Sequence, residues 1–78
     1  MQVQSMILNV ENSPTILTKV IQIIKRRRIN IHFISAEETP NKQDGVIKIK
    51  VEINAEQLRK LKLQLEKQVE VLEVNIQK

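Results

Sequence analysis

Few side chains in this sequence could do chemistry. Among its 78 residues there is no cysteine, one histidine and one phenylalanine, and neither tryptophan nor tyrosine. Without cysteine there is no disulfide, no thiolate metal site and no iron–sulfur cluster. His32 has no partner in a motif-like stretch, and the Asp and Glu residues form no pair suited to acid–base hydrolysis, so no active site is expected within this chain. Two stretches remain. The first is the corner Glu11-Asn12-Ser13-Pro14-Thr15-Ile16-Leu17. If a strand turns into a helix there, the free amides of the helix start could hold a carboxylate or phosphate. Asn12 could then orient an amino group or a backbone; the plainer reading is that Asn12 and Ser13 only form the turn and cap. The second is the run Lys25-Arg26-Arg27-Arg28. It could grip phosphates or dock on an acidic patch of a partner protein. The plainest reading is a basic helix end that opposes the helix dipole. His32 reads first as an ordinary surface or interface residue on a strand.

The elements that must position these stretches are legible from periodicity. Val3 to Val10 alternates, with Met6, Leu8 and Val10 on one side and Val3 and Ile7 on the other, as in a strand. Ser13 can cap a helix and Pro14 suits its first position. Ile16, Leu17, Val20, Ile21, Ile23 and Ile24 then fall on one broad helical stripe that ends around Arg27. Ile29 to Ile34 is β-branched and aromatic and reads as a second strand. Glu38 to Gly45 reads as a turn region closing on Asp44-Gly45. Ile47, Ile49, Val51 and Ile53 alternate with Lys48, Lys50 and Glu52, giving a strand with one dry and one wet face. Asn54 can cap a second helix, with Leu58, Leu61 and Leu65 facing inward and Leu63 outward. A fourth strand runs from Val69 to Ile76, with Leu72, Val74 and Ile76 in alternation.

The predicted order is therefore βαββαβ, the split βαβ or ferredoxin-like pattern of the α+β class: a four-stranded antiparallel sheet with two helices on one face. The whole of residues 1–78 reads as a single domain. A domain this small buries only about 60% of its unfolded surface, so a partner subunit would help it. No apolar run reaches the ~20 residues that span a bilayer, and no signal peptide is evident, so a cytoplasmic location is expected. The net charge of +4 is a modest excess. RNA-recognition domains share this element order but stack bases on aromatics of the central strands. Here those strands carry no Phe, Tyr or Trp.

The segment from the corner through the second strand, VENSPTILTKVIQIIKRRRINIHFIS, resembles the ACT domain of the small, regulatory subunits of acetolactate synthase. Asn12, Ile16-Leu17, Arg26-Arg27 and Ile29-Asn30-Ile31 fall on that family's pattern, as do Gln64-Leu65, Lys67, Val69 and Val74 near the end. The resemblance implies a non-catalytic subunit, without a cofactor of its own, that acts as a homodimer with sheets joined side by side. It implies docking on a catalytic large subunit carrying thiamine diphosphate, a divalent metal and FAD, in branched-chain amino-acid biosynthesis. It also implies a branched-chain amino-acid effector held by Asn12, Thr15 and Ile16 of one chain and Asn30 and Ile31 of the other. Arg26, Arg27 and Arg28 are candidate partner contacts. Thr15 stands where the family has a corner glycine, and a β-branched residue would crowd the ligand's approach. That departure and the short chain look like the small subunits of the valine-insensitive isozyme type. The alternatives are a free-standing ACT amino-acid sensor acting on another enzyme and, less favoured, a small basic RNA-binding domain.

Overall fold

The computed structural model describes residues 2–77. Strand β1 (Gln2–Glu11) leads into helix α1 (Ile16–Arg26). Strands β2 (Asn30–Glu38) and β3 (Asp44–Ile53) follow, then helix α2 (Ala55–Glu66) and strand β4 (Val71–Gln77). The sheet order is β2-β3-β1-β4, antiparallel throughout, so β2 and β4 are edge strands. This is the predicted ferredoxin-like arrangement.

Register puts the dry face of the sheet together. Met6 pairs with Ile49 and Leu8 with Ile47 on one side, and with Ile76 and Val74 on the other. Both helices cover this face. Val20, Ile23 and Ile24 of α1 and Leu58, Leu61 and Leu65 of α2 complete one core, which contains no polar side chain among the described residues. Leu63 faces solvent, as its position on the helix predicts.

Four local details differ from the sequence reading. Helix α1 starts at Ile16: Pro14 and Thr15 form a turn before it, and Thr15 occupies the N-cap position without capping through its side chain. The Asp44-Gly45 pair begins β3 instead of closing a turn. The reversal falls earlier, where the Lys42 amide donates to the Thr39 carbonyl and Lys42 takes φ 61°. Strand β2 continues to Glu38, with a bulge between Ile31 and Phe33. In β4 a register shift opposite Asn9 and Val10 brings Val71 inward and leaves Leu72 exposed. By contrast, Asn54 caps α2 as expected. Its Oδ1 accepts from the Gln57 amide at 2.8 Å, and the Gln57 side chain accepts from the Asn54 amide.

The end of α1 closes on backbone alone. The Arg28 amide donates to the Lys25 carbonyl and the Ile29 amide to the Ile24 carbonyl, with Arg28 at φ 58°. That is a Schellman ending, with buried Ile29 packing back toward Ile24. Glycine is favoured where Arg28 stands because it has no Cβ to crowd the following carbonyl. Arg28→Gly is therefore expected to raise the unfolding free energy by about 1 kcal/mol. Urea denaturation at one fixed protein concentration would show it as a higher midpoint with an unchanged slope.

Candidate effector site at the strand–helix corner

Where β1 ends, the chain turns over the edge of the core before α1 begins. A cavity of about 220 Å³ opens there, lined by Asn12 and Ser13 of the corner, Ile16 and Leu17 of α1, and residues of three strands. Its floor is apolar, from Val10, Ile16, Leu17, Ala36 and Ile47. Glu11, Glu37 and Glu38 stand around it. Gly45 contributes a hollow: a Cβ there would lie 3.4 Å from the Glu37 carbonyl oxygen and 3.5 Å from Val10 Cγ2.

The corner is held by Asn12. Its amide donates to the Gln43 carbonyl at 3.0 Å, and its side-chain Nδ2 donates to the Lys42 carbonyl at 3.0 Å. Both bonds tie the end of β1 to the β2–β3 turn, so this asparagine fixes the rim of the cavity. The Ile16 amide reaches the Ser13 carbonyl at 3.4 Å, and the Lys19 amide reaches that of Thr15. The Leu17 and Thr18 amides between them have no backbone acceptor among the described residues. They carry the positive end of the helix dipole beside the cavity.

The predicted site residues are placed unequally. Asn12 and Ile16 line the cavity. Thr15 is at the corner but not on the cavity wall. Its hydroxyl lies 3.3 Å from Ser13 Oγ, and its φ of −105° asks for no glycine. Asn30 and Ile31 sit at the opposite end of β2, opposite Glu52 and Val51, and do not reach this cavity within one chain. Reasoning from the sequence missed Leu17, Ala36, Glu37, Glu38, Gly45 and Ile47. One signal was available: Gly45 is in phase with Ile47 and Ile49, and a glycine on a dry face leaves room.

The basic run lies at the other end of α1. Arg27 Nε donates to Gln64 Oε1 at 2.5 Å, and Arg26 borders a second, polar groove between the helices with Lys19, Gln22, Gln64 and Gln68. Lys19 itself pairs with Glu70 at 2.5 Å, and that hydrogen bond holds the Glu70 carboxyl below the usual carboxylate range. His32 is exposed and lies 3.0 Å from Glu52 Oε1. The open face of the sheet has Phe33 as its aromatic residue, with Lys50 Nζ 5.8 Å from the ring centre. No described helix is long and apolar enough to cross a membrane.

Comparison with known proteins agrees with this architecture. The family model for the AHAS small subunit-like ACT domain matches residues 6–73. The acetolactate synthase small subunit of Thermotoga maritima superposes with a TM-score of 0.86 at 25% identity, over 97% of this chain and 47% of that one. This chain thus spans about half the length of that subunit. The ACT domain of a GTP pyrophosphokinase from Chlorobium tepidum superposes with a TM-score of 0.83 at 16% identity, covering 96% of both chains. A formyltetrahydrofolate deformylase from Pseudomonas putida contains the same fold in 29% of its length, with a TM-score of 0.80 at 5% identity over 99% of this chain. The last two likenesses speak to fold alone. No curated protein sequence matches the chain.

Proposed function

The chain belongs to the AHAS small subunit-like ACT domain family, and from that premise we propose that it is the regulatory, activating subunit of an acetolactate synthase in branched-chain amino-acid biosynthesis. In this reading it performs no chemistry. It works as a dimer docked on a catalytic large subunit, which carries thiamine diphosphate, a divalent metal and FAD. Docking favours the competent state of that subunit, and an effector alters activity only through unequal affinity for the states it binds.

The observation that carries the reading is the corner cavity, whose chemistry matches an aliphatic α-amino acid. The free Leu17 and Thr18 amides suit its carboxylate, the glutamates at the rim suit its ammonium, and the apolar floor suits a branched side chain. The Thr15 hydroxyl lies beside Ser13 Oγ, and the residue does not line the cavity. The residues Asn30 and Ile31 would come from the second chain. A free-standing amino-acid sensor would use the same cavity and differ only in its protein partner.

The test is acetolactate formation by the large subunit of the same organism, with and without this chain, across a valine titration. Activation is expected, reversed by valine if the cavity is an inhibitory site. A fully active large subunit that gains nothing from the chain would reject the small-subunit reading in favour of the sensor.

A further inference from the structure

Charge is sorted between the two layers of the fold. Residues 15–28, which form α1 and its ends, hold Lys19, Lys25, Arg26, Arg27 and Arg28 and no carboxylate. Residues 55–68, which form α2 and its end, hold four cations against Glu56 and Glu66. The other seven carboxylates lie on the strands and turns, with four cations. The helix layer is thus basic and the rest of the chain acidic. Among the described residues its ion pairs are Lys19–Glu70, Lys60–Glu56 and Lys62–Glu66. These leave Lys25, Arg26, Arg27, Arg28, Arg59 and Lys67 without an opposite charge, all of them exposed. The helix ends do not account for the excess. The last carbonyls of α1 are met by the Arg28 and Ile29 amides, and Arg28 sits at φ 58°, where glycine would be favoured. Arg59 lies in the second turn of α2, away from the negative end of its dipole.

Between the helices this layer opens into the polar groove of about 220 Å³ bordered by Arg26. No carboxylate lines it. Lys19 is already paired with Glu70, whereas Arg26 has no opposite charge among the described residues. Arg27 Nε donates to Gln64 Oε1, which satisfies that oxygen and leaves the Gln64 amide nitrogen as a donor. The Arg26 guanidinium and the side-chain amides of Gln22 and Gln64 therefore ask for a group that only accepts. A carboxylate is such a group, and an arginine can meet it through two parallel N–H bonds. Neither helix carries an aromatic ring on which a base could stack. Leu63 is the one large hydrophobic side chain exposed on the two helices, too little for insertion into a lipid surface. The chemistry fits a protein surface bearing carboxylates.

We propose that the helix layer is the face that docks on the catalytic large subunit, against an acidic surface of that subunit, with one of its carboxylate side chains entering the groove to pair with Arg26. This rests on the small-subunit reading above and adds the face and the chemistry of the contact. The two kinds of cation do different work. Arg26 borders the groove, where an arginine and its partner lose water together and the pair decides how long the complex lasts. Lys25, Arg28, Arg59 and Lys67 are exposed around it, where single ion pairs are weak but the summed field speeds and orients the approach. The open face of the sheet makes no such demand, since its cations Lys48 and Lys50 stand among Glu37, Glu52 and Glu73.

Two variants with the same change of charge on different faces test this. One carries Arg26→Glu and Arg59→Glu on the helices, the other Lys48→Glu and Lys50→Glu on the sheet, each checked for folding by circular dichroism and urea midpoint. Biolayer interferometry against the immobilised large subunit of the same organism, in low salt, measures docking. The helix variant should bind about tenfold more weakly or worse, and the sheet variant within about threefold of the unaltered chain. Rising salt should weaken the unaltered chain more than the helix variant. Carbodiimide, which joins carboxylates to lysines in contact, should link the large subunit to Lys25 or Lys67. Equal losses in both variants, undiminished binding by the helix variant, or links confined to Lys48 and Lys50 would overturn the assignment of the face and leave the small-subunit reading standing. Tighter binding at physiological salt to a single-stranded RNA or to anionic phosphatidylserine vesicles than to the large subunit would overturn the choice of partner. An unaltered chain that neither binds nor activates a competent large subunit would overturn both.

Discussion

Leu8→Ala is expected to lower the unfolding free energy by about 3 kcal/mol, within the range for a leucine truncated in a packed core. Leu8 is fully buried on β1, the strand that pairs with both β3 and β4. Its opposite numbers are Ile47 and Val74, and the helices close the space above it. The strands cannot move inward to fill the gap without breaking their hydrogen bonds, so the cavity persists. A domain of this size has on the order of 4–12 kcal/mol in all, so the loss is a large share of it. Leu63→Ala is the control: it is half exposed on the outer face of α2 and should change stability by less than about 0.5 kcal/mol. Urea midpoints compared at one protein concentration would separate the two, since association also adds to apparent stability. Equal midpoints for both variants would mean that the core is not closed over β1.

The same alternation that makes Leu8 predictable made most of the fold legible. Met6, Leu8 and Val10, or Ile47 to Ile53, can satisfy their backbone and bury their side chains only as strands. The stripe from Ile16 to Ile24 can do so only as a helix. What escaped were places where two local rules compete. Pro14 is as good in a turn as at a helix start, and the carbonyl of Ser13, not its side chain, meets the first helical amide. Asp44-Gly45 is favoured in turns, yet Gly45 is also the continuation of the β3 dry face, and burial against Val10 decides the matter. Leu72 lost its inward place to Val71 through a register shift that depends on the pairing with β1, which the β4 sequence alone does not encode.

The cavity lining is half legible for a related reason. Asn12 and Ile16 lie on the segment whose pattern suggested the corner, and both line the cavity. Ala36, Gly45 and Ile47 reach it only because β2 and β3 pair alongside the end of β1, a fact of register and not of local sequence. Thr15 is not on the cavity wall, and its hydroxyl lies beside Ser13, an interaction between neighbours that a pattern of residue types does not specify. Asn30 and Ile31 are far along β2 from the cavity in one chain, so any role for them needs the second copy.

On the reading proposed above, Gly45→Val should weaken effector binding at least tenfold while leaving activation of the large subunit by the unliganded chain in place. Gly45 is buried in β3 and lines the cavity, and its φ is not in the left-handed region, so an L-residue enters without backbone strain. A Cβ there is in ordinary contact with the Glu37 carbonyl and Val10. Gly45→Ala should thus fold as well as the parent or gain about 0.5 kcal/mol, because the unfolded chain loses freedom. The two further methyl groups of valine add bulk at a position that lines the cavity, at the expense of the space for the ligand's own side chain. Isothermal titration with valine, leucine and isoleucine would measure binding, and acetolactate formation would measure docking. The graded series glycine, alanine, valine separates a filled site from a damaged fold, since only the site should respond to size. Retained binding in Gly45→Val would place the effector elsewhere. Binding and activation lost together, in a variant whose urea midpoint is unchanged, would make the cavity rim part of the large-subunit contact.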